Sequence, residues 1–164
     1  MKFETNSVRG GENQTEFSEH SIPIFPTSSF TFESAEEMAE AFSGDNDHLI
    51  YSRYNNPNTD ALIQKINLLE KTEDGITTAT GMAAVFASMA SFLTNGDHII
   101  ASNALFGSTF QIITNILPKW GIDYTFIHAG AKTDEWINAI RPNTKMVVLE
   151  SPSNPGLSLI DLEA

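Results

Sequence analysis

Residues 75–84 read Gly75-Ile76-Thr77-Thr78-Ala79-Thr80-Gly81-Met82-Ala83-Ala84, and this run indicates the fold class. Its β-branched first half predicts a short strand, and its apolar second half predicts the start of a helix. Helix N-termini attract anions because their first N–H groups are unpaired and carry partial positive charge. Gly81 and Met82 are therefore predicted to hold a phosphate through backbone N–H groups. A tight strand-to-helix turn without a ligand explains the same residues, since one glycine is a weak signal.

The chain downstream of this run continues to alternate strands and helices, as a layered α/β domain does. Strands are predicted near 75–80, 98–102, 122–127 and 145–150, and helices near 82–94, 107–117 and 133–140. The apolar run 146–149 is typical of a central strand covered on both faces. Ligands of such sheets bind at the carboxyl ends of the strands. The loops in which we expect a site are Thr80–Ala83, Asn103–Ser108, His128–Ala131 and Glu150–Pro155.

Two of these loops carry side chains that suit a planar ligand. Phe106 could present an aromatic face to such a ligand, and Asn154 lies in a turn after a buried strand. The alternatives are a core position for Phe106 and an ordinary Asn-Pro turn for Asn154. The four histidines have no metal-ligand spacing and are assigned neither a metal nor a catalytic role; they are His20, His48, His98 and His128.

A third loop combines two phenols with a guanidinium, in the run Tyr51-Ser52-Arg53-Tyr54-Asn55-Asn56-Pro57. The guanidinium of Arg53 is a rigid fork of donors that suits phosphate or carboxylate, and Tyr51 could add a hydroxyl. The alternative is an exposed turn in which Arg53 forms a surface ion pair.

The first part of the chain is expected to be irregular. Residues 1 to about 32 lack helical periodicity, and their apolar side chains predict an extended arm that packs on another surface, such as a second subunit. A short helix is predicted at Glu33–Phe42. Thr59 is predicted to cap a following helix whose apolar face consists of Leu62, Ile66 and Leu69.

Composition excludes several classes of protein. The 164 residues include 9 Lys and Arg against 21 Asp and Glu, and the net charge of −12 argues against binding to nucleic acid or an anionic membrane. The absence of cysteine excludes disulfides and thiolate metal sites. No apolar run approaches the length of a membrane span, and no secretory signal is visible. We therefore expect a soluble cytoplasmic chain with a small-molecule ligand.

Four ordered motifs, taken together, resemble the pyridoxal-phosphate (PLP) enzymes of cysteine and methionine metabolism, the transsulfuration family. The matching segments are residues 23–32, the Tyr51-Ser52-Arg53 loop with Asn56-Pro57, the turn at 80–84 and the strand end at 150–155. The resemblance covers nearly everything from about Val8 onward. It implies an α/β fold with an N-terminal arm followed by the first part of a type I, aspartate aminotransferase-like large domain, which has three α/β/α layers.

The resemblance also implies roles for individual residues. Gly81 and Met82 would bind the phosphate of PLP, and Tyr51 with Arg53 would reach the same phosphate in an adjacent protomer. The complete site would then need two chains, in a homo-oligomer that the family implies is a tetramer. Phe106 takes the place of a ring-stacking tyrosine without its hydroxyl, which puts any proton transfer at this position in doubt, and Asn154 would lie near the ring and the carboxylate of an amino-acid substrate.

Within the family, the 105–109 and 51–54 segments look most like the homoserine-ester sulfhydrylases, in particular the O-succinylhomoserine type. Such enzymes replace the acyl group with sulfide at the γ-carbon, in methionine biosynthesis. Ser108 takes a position where some lyases have cysteine, which disfavours a γ-lyase. Cystathionine γ-synthase, the O-acetylhomoserine enzymes and methionine or cystathionine γ-lyase share these loops and remain alternatives.

The family's Schiff-base lysine and ring-binding aspartate follow the strand-end motif in chain order, beyond Ala164. We therefore expect an N-terminal fragment that is inactive alone, with residues 1–58 as arm and intersubunit loop and residues 59–164 as part of the PLP domain. A nicotinamide oxidoreductase is disfavoured because Gly81 stands alone and Ala101-Ser102-Asn103 lacks the expected acid. A non-catalytic remnant or interaction module is the third function class.

Overall fold

The structure is a computed structural model that describes residues 2–12 and 14–162. The chain divides into two compact units, residues 1–77 and residues 78–164, and each is described by itself. This structural division follows the long helix of the first unit, whereas the predicted division at 58/59 precedes it. The functional assignment of the parts 1–58 and 59–164 stays a prediction.

The first unit contains three helices, α1 (Phe3–Arg9), α2 (Ala35–Ser43) and α3 (Pro57–Glu70). Helix α1 corrects the expectation that residues 1–32 contain no helix. This helix lies against α3: the Lys65 ammonium donates to the Val8 carbonyl at 3.3 Å, and the buried Gly10 that follows the helix lies close to Leu68. Such tertiary contacts override weak local periodicity in a segment of seven residues.

The start of α3 corrects a second expectation. Asn56, and not Thr59, caps this helix: its side-chain oxygen accepts the Asn58 N–H at 2.9 Å, and Pro57 takes the first helical position, where no N–H is needed. Helix α2 begins after Ser34, whose hydroxyl accepts the Glu37 N–H, close to the predicted bounds. On α3, the predicted apolar residues Leu62 and Ile66 remain 52% and 47% exposed.

The second unit is an alternating α/β arrangement. Its elements are α4 (Gly81–Ala90), β1 (His98–Ser102), α5 (Gly107–Gln111), β2 (Asp123–Ile127), α6 (Thr133–Ala139) and β3 (Thr144–Val148). Helix α5 continues as a π-helical turn at Ile112–Ile116 and a 3₁₀ turn at Leu117–Trp120. The predicted helices and three of the four predicted strands are present, with ends that differ by a few residues.

The three strands form a parallel sheet in the order β2-β1-β3, so the middle strand β1 is buried on both faces. On one face, Ile99 and Ala101 pack with side chains of α4 and of the α5 segment in a single apolar cluster. On the other face, Trp136 and Ile137 of α6 line a groove together with Val147 of β3. This gives the three α/β/α layers implied by the family resemblance.

Two strand expectations are wrong. Residues 75–80 do not form a strand, and Ile76 is 81% exposed. β-branched residues favour a strand only when a neighbouring strand pairs with them, and none of the described strands does so here. The 146–149 run is not central either, because β3 pairs only with β1 among the described strands and Val147 stays half exposed.

At the amino end of the sheet, the fully buried His98 connects all three strands. Its ring nitrogens lie 2.8 Å from the Thr144 hydroxyl and 2.9 Å from the Thr125 hydroxyl. Burial lowers the pKa of His98 from its ordinary value of 6.5, the Arg141 guanidinium lowers it further, and Asp123 acts in the opposite direction. The fold therefore holds a neutral imidazole at this position.

No helix in the two described ranges is both long enough and apolar enough to cross a bilayer.

The His98 site predicts a loss of stability in acid. An unfolded chain regains the ordinary pKa of histidine, so it binds the proton first as the pH falls. The stabilisation is complete above about pH 6.5 and decreases as the pH falls from there through the lowered folded-state pKa, by at most about 1.4 kcal/mol per pH unit. We expect His98→Gln to be less stable than the wild type at pH 7.5 but to lose less stability between pH 7.5 and 5.5, measured by urea unfolding of the full-length protein.

His128→Gln is the matched control, because His128 is exposed and also belongs to the second unit. This variant should keep the wild-type dependence on pH. If His98→Gln shows the same acid sensitivity as the wild type, protonation of His98 is not the cause.

Candidate functional site

The N-terminus of α4 leaves two backbone donors available. The Thr80 hydroxyl caps the helix by accepting the Ala83 N–H at 3.1 Å, and the Thr80 carbonyl accepts the Ala84 N–H. Within the described part of the chain, no acceptor takes the N–H of Gly81 or Met82. The Met82 side chain packs against the apolar core, so this residue can contribute to a ligand site through its backbone.

Gly81 is open towards solvent. A Cβ atom built at this position would meet no atom within 4 Å, and the backbone does not adopt a positive φ. Neither the fold nor the backbone conformation therefore requires glycine here. Free space beside two unpaired N–H groups at the start of a ten-residue helix is what a phosphate needs for close approach.

Phe106 lies at the start of α5, immediately after the loop that follows β1. Its side chain is 42% exposed, whereas the preceding Leu105 is in the core at 9%. The core alternative for Phe106 is therefore wrong. The ring presents an accessible face at the carboxyl end of the sheet, where the sequence pattern predicts a ligand.

Glu150 connects Phe106 to the loop after β3, and it is not among the site residues predicted from the sequence. One carboxylate oxygen accepts the backbone N–H of Phe106 at 2.8 Å, and the other accepts the backbone N–H of Asn154 at 2.7 Å. The structure thus brings Phe106 and Asn154, two predicted site residues, to the same side chain. The signal that could have revealed Glu150 is an acid at the end of the strand predicted near 145–150.

Asn154 itself is exposed, on a loop with hydrogen bonds of its own. The buried Ser153 fixes this loop, because its N–H donates to the Ser158 carbonyl and its hydroxyl accepts the Ser158 N–H, both at 3.0 Å. The Asn154 side chain therefore projects from a fixed backbone. The loop after β2 is fixed in a similar way, since the Asn103 side chain accepts the Ala129 N–H at 3.2 Å.

In the first unit, Tyr51 and Arg53 lie together as predicted. The Arg53 guanidinium carbon is 4.9 Å from the ring centre of Tyr51 and 5.4 Å from that of Tyr54. Cation–π contacts of this kind orient a guanidinium without using its N–H donors. Arg53 forms no ion pair within the described ranges, so the surface ion pair of the alternative reading is not observed.

Two asparagines fix the backbone of this loop against the N-terminal arm. Neither is among the site residues predicted from the sequence. Asn58 accepts the Phe25 N–H at 2.8 Å and donates to the Pro23 carbonyl at 2.7 Å. The buried Asn56 donates to the Phe25 carbonyl at 3.2 Å and to the Ser52 hydroxyl at 2.9 Å. The arm therefore positions the loop that carries Tyr51 and Arg53. The Asn-Pro-Asn run was the available signal.

Among the described residues, no group of three or more His, Cys, Asp or Glu side chains is arranged to hold a metal ion.

The comparisons with known proteins are consistent with one family. A model of the family described as Cys/Met metabolism PLP-dependent enzyme matches residues 4–164. An O-succinylhomoserine sulfhydrylase of Mycobacterium tuberculosis is 38% identical over 160 residues, which are 98% of this chain and 39% of the relative. An L-methionine gamma-lyase of Fusobacterium nucleatum is 36% identical over 160 residues, with 98% and 40% covered.

A solved structure of a candidate O-acetylhomoserine (thiol)-lyase from Campylobacter jejuni contains N'-pyridoxyl-lysine-5'-monophosphate. It superimposes with a TM-score of 0.90 at 31% identity and covers 98% of this chain and 39% of its own. The chain thus spans about two fifths of the length of the proteins it matches.

Proposed function

Because the chain belongs to the family of Cys/Met metabolism PLP-dependent enzymes, we propose that the whole protein is a sulfhydrylase acting on an activated homoserine ester. The proposed reaction joins O-succinylhomoserine and sulfide to give homocysteine, for methionine biosynthesis. The cofactor is pyridoxal 5'-phosphate, as the family and the pyridoxyl-lysine structure indicate. When bound, PLP supplies an electron sink that makes carbanions at successive substrate carbons accessible.

The observation that carries the proposal is the pair of unpaired N–H groups at the start of α4, beside the open side of Gly81. These residues fit the phosphate of PLP without any basic side chain. The Thr80 cap supports the fit, since it satisfies the Ala83 N–H and leaves the first two donors for the ligand.

Phe106 and Asn154 complete the part of the site that lies in the second unit. The accessible ring of Phe106 would stack on the cofactor ring, and the Asn154 amide would contact the ring or the substrate carboxylate. Phe106 has no hydroxyl, so it can orient the ring but cannot carry a proton. Any proton transfer in the proposed reaction belongs to other groups of the whole enzyme.

Tyr51 and Arg53 are proposed to bind the cofactor phosphate of a neighbouring subunit. Stacking between two phenol rings leaves the guanidinium donors of Arg53 available. Fork-shaped donors of this kind bind phosphate in a bidentate manner. The proposed assembly is a dimer of complete sites, further paired into a tetramer, and the residues 1–164 alone are proposed to be inactive.

The acyl group is the least constrained part of the proposal. Relatives of similar identity act, by name, on the succinyl ester or as methionine γ-lyases, and the Campylobacter protein is named for the acetyl ester. γ-Elimination of methionine is the second candidate function, because relatives of similar identity are named methionine γ-lyases. Ser108, at a position where some lyases have cysteine, favours replacement over elimination.

Gly81→Ala tests whether the start of α4 binds the cofactor phosphate. Gly81→Ala places a methyl group in the open space beside the two free N–H groups and should raise the dissociation constant for PLP at least about tenfold, because charge-assisted hydrogen bonds are lost. Its free energy of unfolding should equal that of the wild type or exceed it by up to about 1 kcal/mol, since alanine is the better helix former. Cofactor titration and urea unfolding of the full-length protein measure the two quantities.

Gly75→Ala is the matched control, because Gly75 also has no positive φ and its new methyl would meet only ordinary contacts at 3.4 and 3.5 Å. This variant should bind PLP like the wild type. Equal affinity in Gly81→Ala would show that the phosphate binds elsewhere.

The reaction itself is tested with the purified full-length protein. We expect homocysteine and succinate from O-succinylhomoserine and sulfide. The kcat/KM should be at least about tenfold above that for O-acetylhomoserine, since the succinyl group has a negatively charged carboxymethyl group that the acetyl group lacks. Preference for the acetyl ester would overturn the acyl assignment. Faster release of methanethiol from methionine would establish the γ-lyase instead.

The shared site is tested by mixing two inactive variants. Arg53→Ala removes the proposed guanidinium contact to the phosphate, and Gly81→Val blocks the proposed backbone N–H contacts at the start of α4. If the halves come from different subunits, a hybrid dimer contains one intact site, and random pairing restores about a quarter of wild-type activity.

The control pairs Arg53→Ala with the double variant Arg53→Ala/Gly81→Val, which can form no intact site and should stay inactive. Hybrids of the first mixture that are no more active than the single variants would place Arg53 in the site of its own subunit.

A further inference from the structure

We propose that Glu150 is a positioning residue that fixes Phe106 and Asn154 relative to each other, so that both side chains can contact one ligand. The role towards PLP rests on the proposed function, but the arrangement of Glu150 rests on geometry alone. Its two carboxylate oxygens accept the backbone N–H groups of residues 106 and 154, at 2.8 and 2.7 Å.

Neither loop has another anchor at these N–H groups. The N-cap residue of α5, Phe106, makes no side-chain capping hydrogen bond, and the Glu150 carboxylate accepts its backbone N–H. In the run Ser151-Pro152-Ser153-Asn154-Pro155 the prolines have no N–H and the Ser153 N–H is bound to Ser158. The N–H of Asn154 is thus the donor through which this loop is held to the end of β3.

The contact uses both oxygens of one carboxylate. Each of the two N–H groups has its own oxygen, and an ionised carboxylate has acceptors only. Glutamine would offer one oxygen, while its NH₂ group would face the second N–H. A negative charge here opposes an anionic cofactor, in a chain whose net charge is already −12. The paired N–H groups offset part of that cost, because hydrogen bonds to a charged acceptor are stronger than neutral ones.

The contact also spans two strands of the sheet. Phe106 follows β1 and Asn154 follows β3, and these strands are hydrogen-bonded neighbours in the parallel sheet. Glu150 lies two residues after the end of β3, so its backbone is close to the sheet. The distance between Phe106 and Asn154 is therefore set by their hydrogen bonds to one side chain beside the sheet.

The test uses the full-length protein with Glu150→Gln and Glu150→Ala, and Asp97→Asn as the matched control. The Asp97 carboxylate also accepts two donors, the Thr94 N–H and hydroxyl, but in a turn before β1. Hydrogen exchange of single backbone N–H groups in the cofactor-free protein tests the geometry. Cofactor titration and the visible circular dichroism of the bound cofactor test the consequence for its ring.

In Glu150→Ala, we expect the N–H groups of Phe106 and Asn154 to exchange at least about tenfold faster. In Glu150→Gln, which keeps the side-chain volume, at least one of the two should do so. Both variants should bind PLP about tenfold more weakly and show an altered dichroic band, while Asp97→Asn should match the wild type.

Unchanged exchange at both positions in the glutamine variant would overturn the proposal, even if the alanine variant fails to fold. Faster exchange with wild-type cofactor affinity and an unchanged dichroic band would overturn the positioning role. Failure of the proposed function looks different, because the wild-type protein itself would then not bind PLP.

Discussion

The burial of β1 between two parallel partners is the constraint on which the second unit depends. Its five residues are buried without exception, and they exchange hydrogen bonds with β2 on one side and β3 on the other. Parallel pairing places the carboxyl ends of all three strands at one edge. The loops that follow β1 and β3 therefore meet there, and Phe106 and Asn154 become neighbours although nearly fifty residues of chain separate them.

The proposed phosphate site consists mainly of backbone N–H groups, and this suits an acidic chain. A helix start provides two donors without a cation, and two more donors are held by Glu150. The one guanidinium assigned to the site, that of Arg53, is oriented by aromatic rings and not by acids. Among the described residues no carboxylate pairs with its donors, although acids outnumber bases more than two to one in the sequence.

Much of the fold could be predicted from sequence, because β1 and helices α4 to α6 have strong local patterns. The errors share a physical cause. Residues 75–80 have β-branched side chains but lack a strand to pair with, and α1 forms because α3 is beside it, which no local pattern reports. The cap of α3 depended on the choice between two polar residues three positions apart. The sequence assigns six residues to the candidate site, and this assignment stays a prediction: Tyr51, Arg53, Gly81, Met82, Phe106 and Asn154. It did not point to Glu150, Asn56 or Asn58 as positioning residues, because their contacts are with backbone groups distant in sequence.

The exposed side of β3 has a practical consequence for handling this polypeptide. Among the described strands, β3 has a partner on one side only, and Val147 and Leu149 are exposed beside its open row of backbone N–H and C=O groups. An open apolar edge is a template on which another copy can add a strand. Residues 1–164 produced by themselves are therefore expected to self-associate, and lysine substitutions along that edge are the means to keep them in solution.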